Sequence, residues 1–140
     1  MRAPCRKIMA WLLMLALLVG LFNATFPFSI ASAKEAAFPQ VITAALAGSF
    51  QSELGEIGDW RPDSTVTEMT CYDNGVMEFI AELPEGSYEY KVALNDSFSE
   101  AYPPSNIAIS IPEGGEKVIF QYNSATHEVI DSVNHSSRFV

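Results

Sequence analysis

The sequence lacks the features on which most enzymes and nucleic-acid-binding proteins depend. It contains no Gly-x-Ser-x-Gly and no His-Glu-x-x-His motif, and neither His127 nor His135 belongs to a recognisable catalytic constellation. Basic residues are scarce, with eight Lys and Arg against seventeen Asp and Glu. Because so acidic a chain repels phosphate groups, we expect it to bind neither nucleic acid nor an anionic membrane. The sequence therefore predicts a protein that is not an enzyme, and it leaves neutral ligands and cations open.

Acidic residues are absent from the N-terminal region, whose pattern is typical of an export signal. Three basic residues precede an apolar, uncharged run over residues 8–22, and a small-x-small cleavage site follows at residues 31–33. We expect residues 1–33 to be a signal peptide, which leaves 107 residues from Lys34 onward with a net charge of −12. The alternative is an uncleaved membrane anchor, for which the run is short against the roughly 20 apolar residues that a span needs. The sequence thus predicts a secreted protein.

Cysteines and metal-site patterns are also scarce. Removal of residues 1–33 leaves Cys71 as the single cysteine, so we expect a domain without an internal disulfide, held together by packing. No neighbouring base would activate Cys71, which is predicted to be a half-buried strand residue. The acidic residues Glu53, Glu56, Asp59 and Asp63 fit no known calcium-loop spacing. We therefore expect no metal and no cofactor.

Short alternating runs separated by turn signals fill the rest of the chain. About seven strands and no convincing helix are predicted, at residues 41–47, 65–70, 76–83, 88–94, 106–111, 118–122 and 129–133. This spacing is typical of an antiparallel β-sandwich, with Tyr90 and Phe120 facing inward between the sheets. We expect one domain over residues 41–134, between a lead-in at residues 34–40 and a C-terminal tail at residues 135–140.

Two segments are predicted to be irregular. Residues 51–61 contain two glycines, three acidic residues and a lone tryptophan, which indicates a surface loop with one helical turn at most. Residues 101–105 include Pro103-Pro104, and proline cannot donate a hydrogen bond to a sheet ladder. We therefore expect residues 101–105 to leave the regular sheet.

The stretch Leu83–Phe98 organises the predicted fold. Its side chains alternate strictly, which places Tyr90 on a buried face and Lys91 on an open face. The strand closes at the turn signal Asn95-Asp96, and Phe98 follows just beyond it. The stretch therefore presents a cation on its open face and an aromatic residue at its exit.

Four residues have the chemistry of a sugar-binding platform. Sugar rings present C–H faces that stack on aromatic rings, while Lys and Asn exchange hydrogen bonds with the hydroxyl groups. The candidate residues are Trp60, Lys91, Asn95 and Phe98. Two alternatives stay open: Trp60 is an ordinary loop residue folded over a sheet edge, and Phe98 packs into the core.

Three separated blocks resemble the immunoglobulin-like accessory (X-type) module of bacterial pullulanases and amylopullulanases. They are GSFQSELGEIGDW, LPEGSYEYKVALNDSF and VIFQYNSATHEVIDSVN, and the resemblance runs from about Val41 to Asn134. It implies an immunoglobulin-like β-sandwich of about seven strands. In that family the module stands beside an α-amylase-type catalytic domain and is associated with α-glucans such as starch and pullulan.

A more distant resemblance is to the glycogen- and starch-binding modules. In those modules a Tyr-Lys strand, the aromatic residue after it and a loop tryptophan form the sugar platform. The resemblance implies that Trp60 and Phe98 stack on sugar rings and that Lys91 contacts hydroxyl groups. The chain differs from that pattern at two places. Phe98 stands where tryptophan is usual, and residues 101–105 stand where a longer Gly/Asn-rich segment is usual.

Residues and resemblance together predict a secreted, non-catalytic module that binds an α-glucan such as starch, pullulan or glycogen. Its expected partner is that polysaccharide, and a separate amylase-type catalytic chain is an open second partner. The competing hypothesis is a ligand-free structural spacer or interaction domain left from a truncated multidomain amylolytic enzyme.

Overall fold

The computed structural model describes residues 43–140, which form two antiparallel β-sheets packed face to face. The strands, in chain order, are β1 (Ala44–Gly48), β2 (Thr70–Cys71), β3 (Val76–Leu83), β4 (Gly86–Leu94), β5 (Ser97–Ile111), β6 (Glu116–Asn123) and β7 (Val129–Asp131). One sheet has the order β1-β4-β5 and the other the order β2-β3-β6-β7. The described residues form no α-helix, only 3-10 turns at Ser52–Leu54 and Ser136–Arg138. The predicted β-sandwich of seven strands is confirmed.

Aromatic rings fill the core between the two sheets. Tyr90 and Phe120 are fully buried, as predicted, and their ring centroids lie 4.9 Å apart in a T-shaped contact. Phe50, from the segment after β1, stacks on Phe120 with 5.5 Å between centroids. Other inward side chains come from alternate positions of β4 and β6, namely Tyr88, Val92, Leu94, Val118 and Tyr122. The period-two pattern of the sequence thus decides which face of each strand is buried.

A buried hydrogen-bond network joins the two sheets. The Tyr90 hydroxyl in β4 donates to Oδ2 of the buried Asp131 in β7, at 2.8 Å. Oδ1 of Asp131 accepts the backbone N–H groups of Val133 and Asn134, so the buried carboxyl group is satisfied. Burial, and secondarily the neighbouring Asp131, raise the pKa of Tyr90 well above its usual value. The phenol therefore keeps its proton and serves as a permanent donor between the sheets.

Two hairpin turns form where their residues allow a positive φ. Asp73-Asn74-Gly75 joins β2 to β3, and Gly75 has a φ of 80°. Asn95-Asp96 forms the two-residue loop of the β4–β5 hairpin, with φ angles of 53° and 59°. Two successive positive φ angles match the twist of a two-residue hairpin, and Asn and Asp tolerate them better than most residues. The turn predicted at Asn95-Asp96 is confirmed.

The predicted strand over residues 65–70 is wrong. Within it, Glu68 forms an isolated bridge with Ala45 of β1, and the chain then crosses to the other sheet, where β2 pairs with β3. The buried Thr67 hydroxyl donates to the Leu46 carbonyl at 2.8 Å, which fixes the crossing segment against β1. This Thr- and Val-rich segment therefore crosses from one sheet to the other. The local sequence pattern does not distinguish such a crossing from a continuous strand.

The prediction that residues 101–105 leave the sheet is only partly correct. A single strand of 15 residues, β5, runs through them. Proline is tolerated there because β5 is an edge strand, whose outer N–H groups have no ladder partner to lose. The irregularity is in the register: pairing with β4 passes from Val92–Tyr102 directly to Tyr90–Ile107, so residues 103–106 have no register partner.

Several predictions concern residues outside the described range, namely the signal peptide at residues 1–33, the lead-in at residues 34–40 and the start of the first strand. Cys71 is half-buried in β2, as expected. The expected absence of an internal disulfide concerns the chain without residues 1–33, so it stays a prediction. No helix among residues 43–140 is long and apolar enough to cross a membrane.

Candidate functional site

An open depression of about 280 Å³ lies on the outer face of the three-stranded sheet. Its lining comes from three parts of the chain: the loop after β1, the central strand β4 and the edge strand β5. The lining residues are Trp60, Lys91, Phe98, Ala101 and Asn106. Three of the four predicted site residues are thus brought together on one surface.

Lys91 lies at the centre of this surface because β4 is the middle strand of its sheet. Tyr90 and Val92 point into the core, so Lys91 points outward. Its side chain is half-buried, and Nζ donates to the Pro104 carbonyl at 3.1 Å. An ammonium group has three donors, so two remain for a ligand. Among the ion pairs of residues 43–140, none involves Lys91.

Trp60 reaches the depression from the loop between β1 and β2. Its backbone N–H donates to the Gly48 carbonyl at the end of β1, at 3.2 Å. Ala47, beside Gly48, pairs with Lys91, so the loop brings the indole next to the central lysine. The side chain is half-buried. Trp60 is therefore partly covered by the protein and still lines the depression.

Phe98 also lines the depression and is 44% exposed. Pairing between β4 and β5 passes from Leu94–Ser97 to Ala93–Ala101, which leaves residues 98–100 without register partners. Such a bulge redirects side chains relative to the regular strand. The alternative that Phe98 packs into the core is therefore wrong.

The two asparagines of this region have different positions. Asn95 is exposed in the β4–β5 turn, where its backbone N–H donates to the Thr43 carbonyl, and it is not among the residues that line the depression. Asn106 does line it, although sequence reasoning missed it. Its Nδ2 donates to Oε2 of Glu89 at 3.3 Å. The alternation that buries Ile109 places Asn106 on the outward face, and this was the signal that could have found it.

The acidic loop residues are engaged in local contacts. The pKa of Glu56 is lowered by a hydrogen bond from the Ser64 hydroxyl and by the backbone N–H of Ile57. The Arg61 guanidinium donates to both carboxylate oxygens of Asp63 and lowers its pKa. Within residues 43–140, no three His, Cys, Asp or Glu side chains form a group that could hold a metal ion.

The two histidines lie away from the depression. His127 is exposed, and its ring stacks on Tyr102 with 4.2 Å between centroids. Its Nδ1 shares a hydrogen bond of 2.8 Å with the buried Tyr122 hydroxyl, so the imidazole contacts both β5 and β6. His135 is half-buried.

Comparisons with known proteins establish the family. Residues 43–129 match the model of the pullulanase X25 domain. The chain is 35% identical over 134 residues to an amylopullulanase of Thermoanaerobacter thermohydrosulfuricus and 31% identical over 135 residues to one of Thermoanaerobacterium saccharolyticum, with 94% of this chain covered in each case. It spans only 9% and 10% of those relatives.

A solved structure gives the same result. Pullulanase from Bacillus acidopullulyticus is 40% identical in sequence and superposes with a TM-score of 0.67, over 70% of this chain and 12% of that one. The resemblance to the accessory modules of pullulanases is thus confirmed by sequence and by fold. The chain belongs to the pullulanase X25 domain family.

Proposed function

We propose that this chain is a secreted, non-catalytic accessory module that binds α-glucan chains at the open depression. The observation that carries the proposal is the convergence of Trp60, Lys91 and Phe98 on one surface of the three-stranded sheet. The three residues come from a loop and two strands, so their meeting is a property of the fold.

The chemistry of the depression suits a sugar chain. Two aromatic side chains, Trp60 and Phe98, supply apolar faces for the C–H groups of sugar rings. Lys91 and Asn106 supply hydrogen-bond donors for hydroxyl groups, and each hydrogen bond is worth about 0.5–1.5 kcal/mol net. An open surface lets a polymer pass across it without a free end. The relatives are named as pullulanase and amylopullulanases, which makes pullulan and starch the first ligands to test.

The same lining supports a non-catalytic role. Glycoside hydrolysis uses two carboxyl groups that flank the scissile bond, about 5–9.5 Å apart. None of the five residues that line the depression is Asp or Glu. The module would therefore act beside a catalytic domain, in the same polypeptide or on a separate amylase-type chain, and hold the polysaccharide near it.

Native gels that contain pullulan or amylopectin test the proposal. The protein is expected to be retarded relative to a gel without polysaccharide, and Trp60→Ala is expected to abolish the retardation. Lys91→Ala is expected to weaken it less, because one hydrogen-bonding group is lost from a larger contact. Thermal melts of each variant check that the fold is retained.

Tyr72→Ala is the matched control. Tyr72 is also an exposed aromatic residue, 49% accessible, but it precedes β3 in the other sheet and contacts Glu78 there. Its replacement is expected to leave retardation unchanged. If the unmutated protein migrates identically with and without every α-glucan, the ligand-free spacer hypothesis is correct and the binding proposal fails.

A further inference from the structure

Gln51 is a fully buried glutamine in the segment that follows β1. Its Oε1 accepts the backbone N–H of Arg61 at 2.6 Å and that of Gly48 at 3.4 Å. Its Nε2 donates to the Arg61 carbonyl at 2.9 Å and to the Thr67 hydroxyl at 2.9 Å. A carboxamide has two donor hydrogens and two acceptor lone pairs, and all four are used. The side chain is therefore fixed in one orientation.

Hydrogen bonds from Gln51 and Ser52 together hold both neighbours of Trp60. One amide group binds the N–H and the C=O of Arg61, the residue that follows Trp60. The residue before it, Asp59, accepts the backbone N–H of Ser52 at Oδ1, at 2.9 Å. Trp60 itself is bound through its N–H to the Gly48 carbonyl. Residues 59–61 are thus fixed to the end of β1 and to the segment that follows it, and the Gln51 amide makes two of these four bonds.

The backbone of Trp60 needs such restraint. Its φ is +58°, in a region that bulky side chains rarely adopt. A conformation of this kind persists where the surrounding contacts determine it, and such conformations cluster at functional sites. A side chain that is already held in its bound position also loses less conformational freedom when a ligand arrives.

We propose that Gln51 is the positioning residue of the candidate site, and that its amide holds Trp60 with the indole presented to the depression. Its effect on affinity rests on the proposed glucan binding. Its effect on the position of Trp60 does not, so the two can be tested separately.

Fluorescence of Trp60 tests the position without any ligand. The sequence has two tryptophans, so Trp11→Phe leaves Trp60 as the only one. In this background, Gln51→Ala is expected to shift Trp60 emission to longer wavelength and to increase its quenching by acrylamide, because the loop no longer holds the indole against the sheet. Gln51→Glu keeps the side-chain volume and the acceptor for Arg61 but loses both donors. Gln51→Glu therefore leaves no cavity, and we expect it to shift Trp60 emission in the same direction as Gln51→Ala.

Retardation by pullulan tests the consequence for binding. Gln51→Glu is expected to weaken the pullulan affinity, as measured by retardation, about tenfold, which corresponds to about 1.4 kcal/mol of binding free energy. Gln121→Ala is the control, since Gln121 also donates through Nε2, to Glu78 on the other sheet, and its loss is expected to change neither signal. Unchanged Trp60 emission and quenching in a folded Gln51 variant would overturn the proposal. So would a shifted emission with unaltered pullulan affinity. If the unmutated protein binds no glucan, the proposed function fails, while the fluorescence still decides whether Gln51 positions Trp60.

Discussion

The packing of Phe120 allows the most quantitative prediction. Phe120 has no exposed area, and its ring contacts Phe50 and Tyr90 with centroids 5.5 Å and 4.9 Å away. Replacing a buried Phe by Ala costs about 3–5 kcal/mol. Two aromatic pairs, each worth about 0.5–1.5 kcal/mol beyond buried area, are lost with the ring. We therefore expect Phe120→Ala to lower the free energy of unfolding by about 4–5 kcal/mol, the upper half of that range. The total free energy of unfolding of such a domain is about 5–15 kcal/mol.

Urea denaturation followed by circular dichroism measures this loss, and Ile80→Ala is the control. Phe79 in β3 is the register partner of Phe120. Ile80 is the next residue of β3, so the Ile80 side chain points to the opposite face of the sheet, where it is 48% exposed. The control is expected to lose less than about 1 kcal/mol. In thermal melts, Phe120→Ala should lower the melting temperature by at least about 16 °C. Equal losses in the two variants would show that the assignment of the buried face is wrong.

Three further predictions follow from individual contacts. Gly48→Ala should destabilise the domain by about 1–3 kcal/mol, because a Cβ there would lie 2.7 Å from the Glu89 carbonyl oxygen; an unchanged thermal melt would contradict this. Phe98→Trp should strengthen retardation by pullulan without lowering the melting temperature, since Phe98 is exposed; a lower melting temperature with unchanged retardation would refute it. The hydrogen bond from Arg138 lowers the pKa of Glu128 below the usual 4.5, so this pair stabilises the fold above pH 4.5 and is lost as the pH falls through the lower folded value. In an NMR titration, Arg138→Gln should raise the Glu128 pKa towards 4.5, and an unaltered titration would exclude the pairing.

Elements with strict alternation were predictable from the sequence. The bounds predicted for β3, residues 76–83, coincide with the structure, and the buried face of β4 follows the pattern of Tyr88 and Tyr90. In these strands the burial of each side chain is a local consequence of the pleat. Their turns are also determined locally, because Asn-Gly and Asn-Asp accept the φ angles that tight hairpins require.

Elements whose form depends on distant partners were not predictable. Residues 65–70 cross between the sheets because Thr67 is bonded to Leu46, which no local pattern records. The strand β5 tolerates Pro103 only because it lies at a sheet edge, and strand order is a property of the whole fold.

The candidate site shows the same division. Trp60, Lys91 and Phe98 were predicted from residue chemistry and from the resemblance, and the fold brings them together. Gln51 was not identified, since a glutamine in a polar loop gives no signal that its amide will be buried with four hydrogen bonds. Its role follows from contacts over 10 and 16 residues of sequence, which only the folded chain contains.

A nitrogen–proton correlation spectrum recorded during titration with a linear maltooligosaccharide tests the central claim most directly. The proposed function predicts that shifts concentrate on the indole N–H of Trp60 and on the backbone amides of Lys91, Phe98 and Asn106. Amides of the outer face of the four-stranded sheet, such as that of Ile80, should remain unmoved. An unchanged spectrum at saturating oligosaccharide, or shifts confined to that other sheet, would contradict the assignment of the depression as an α-glucan site.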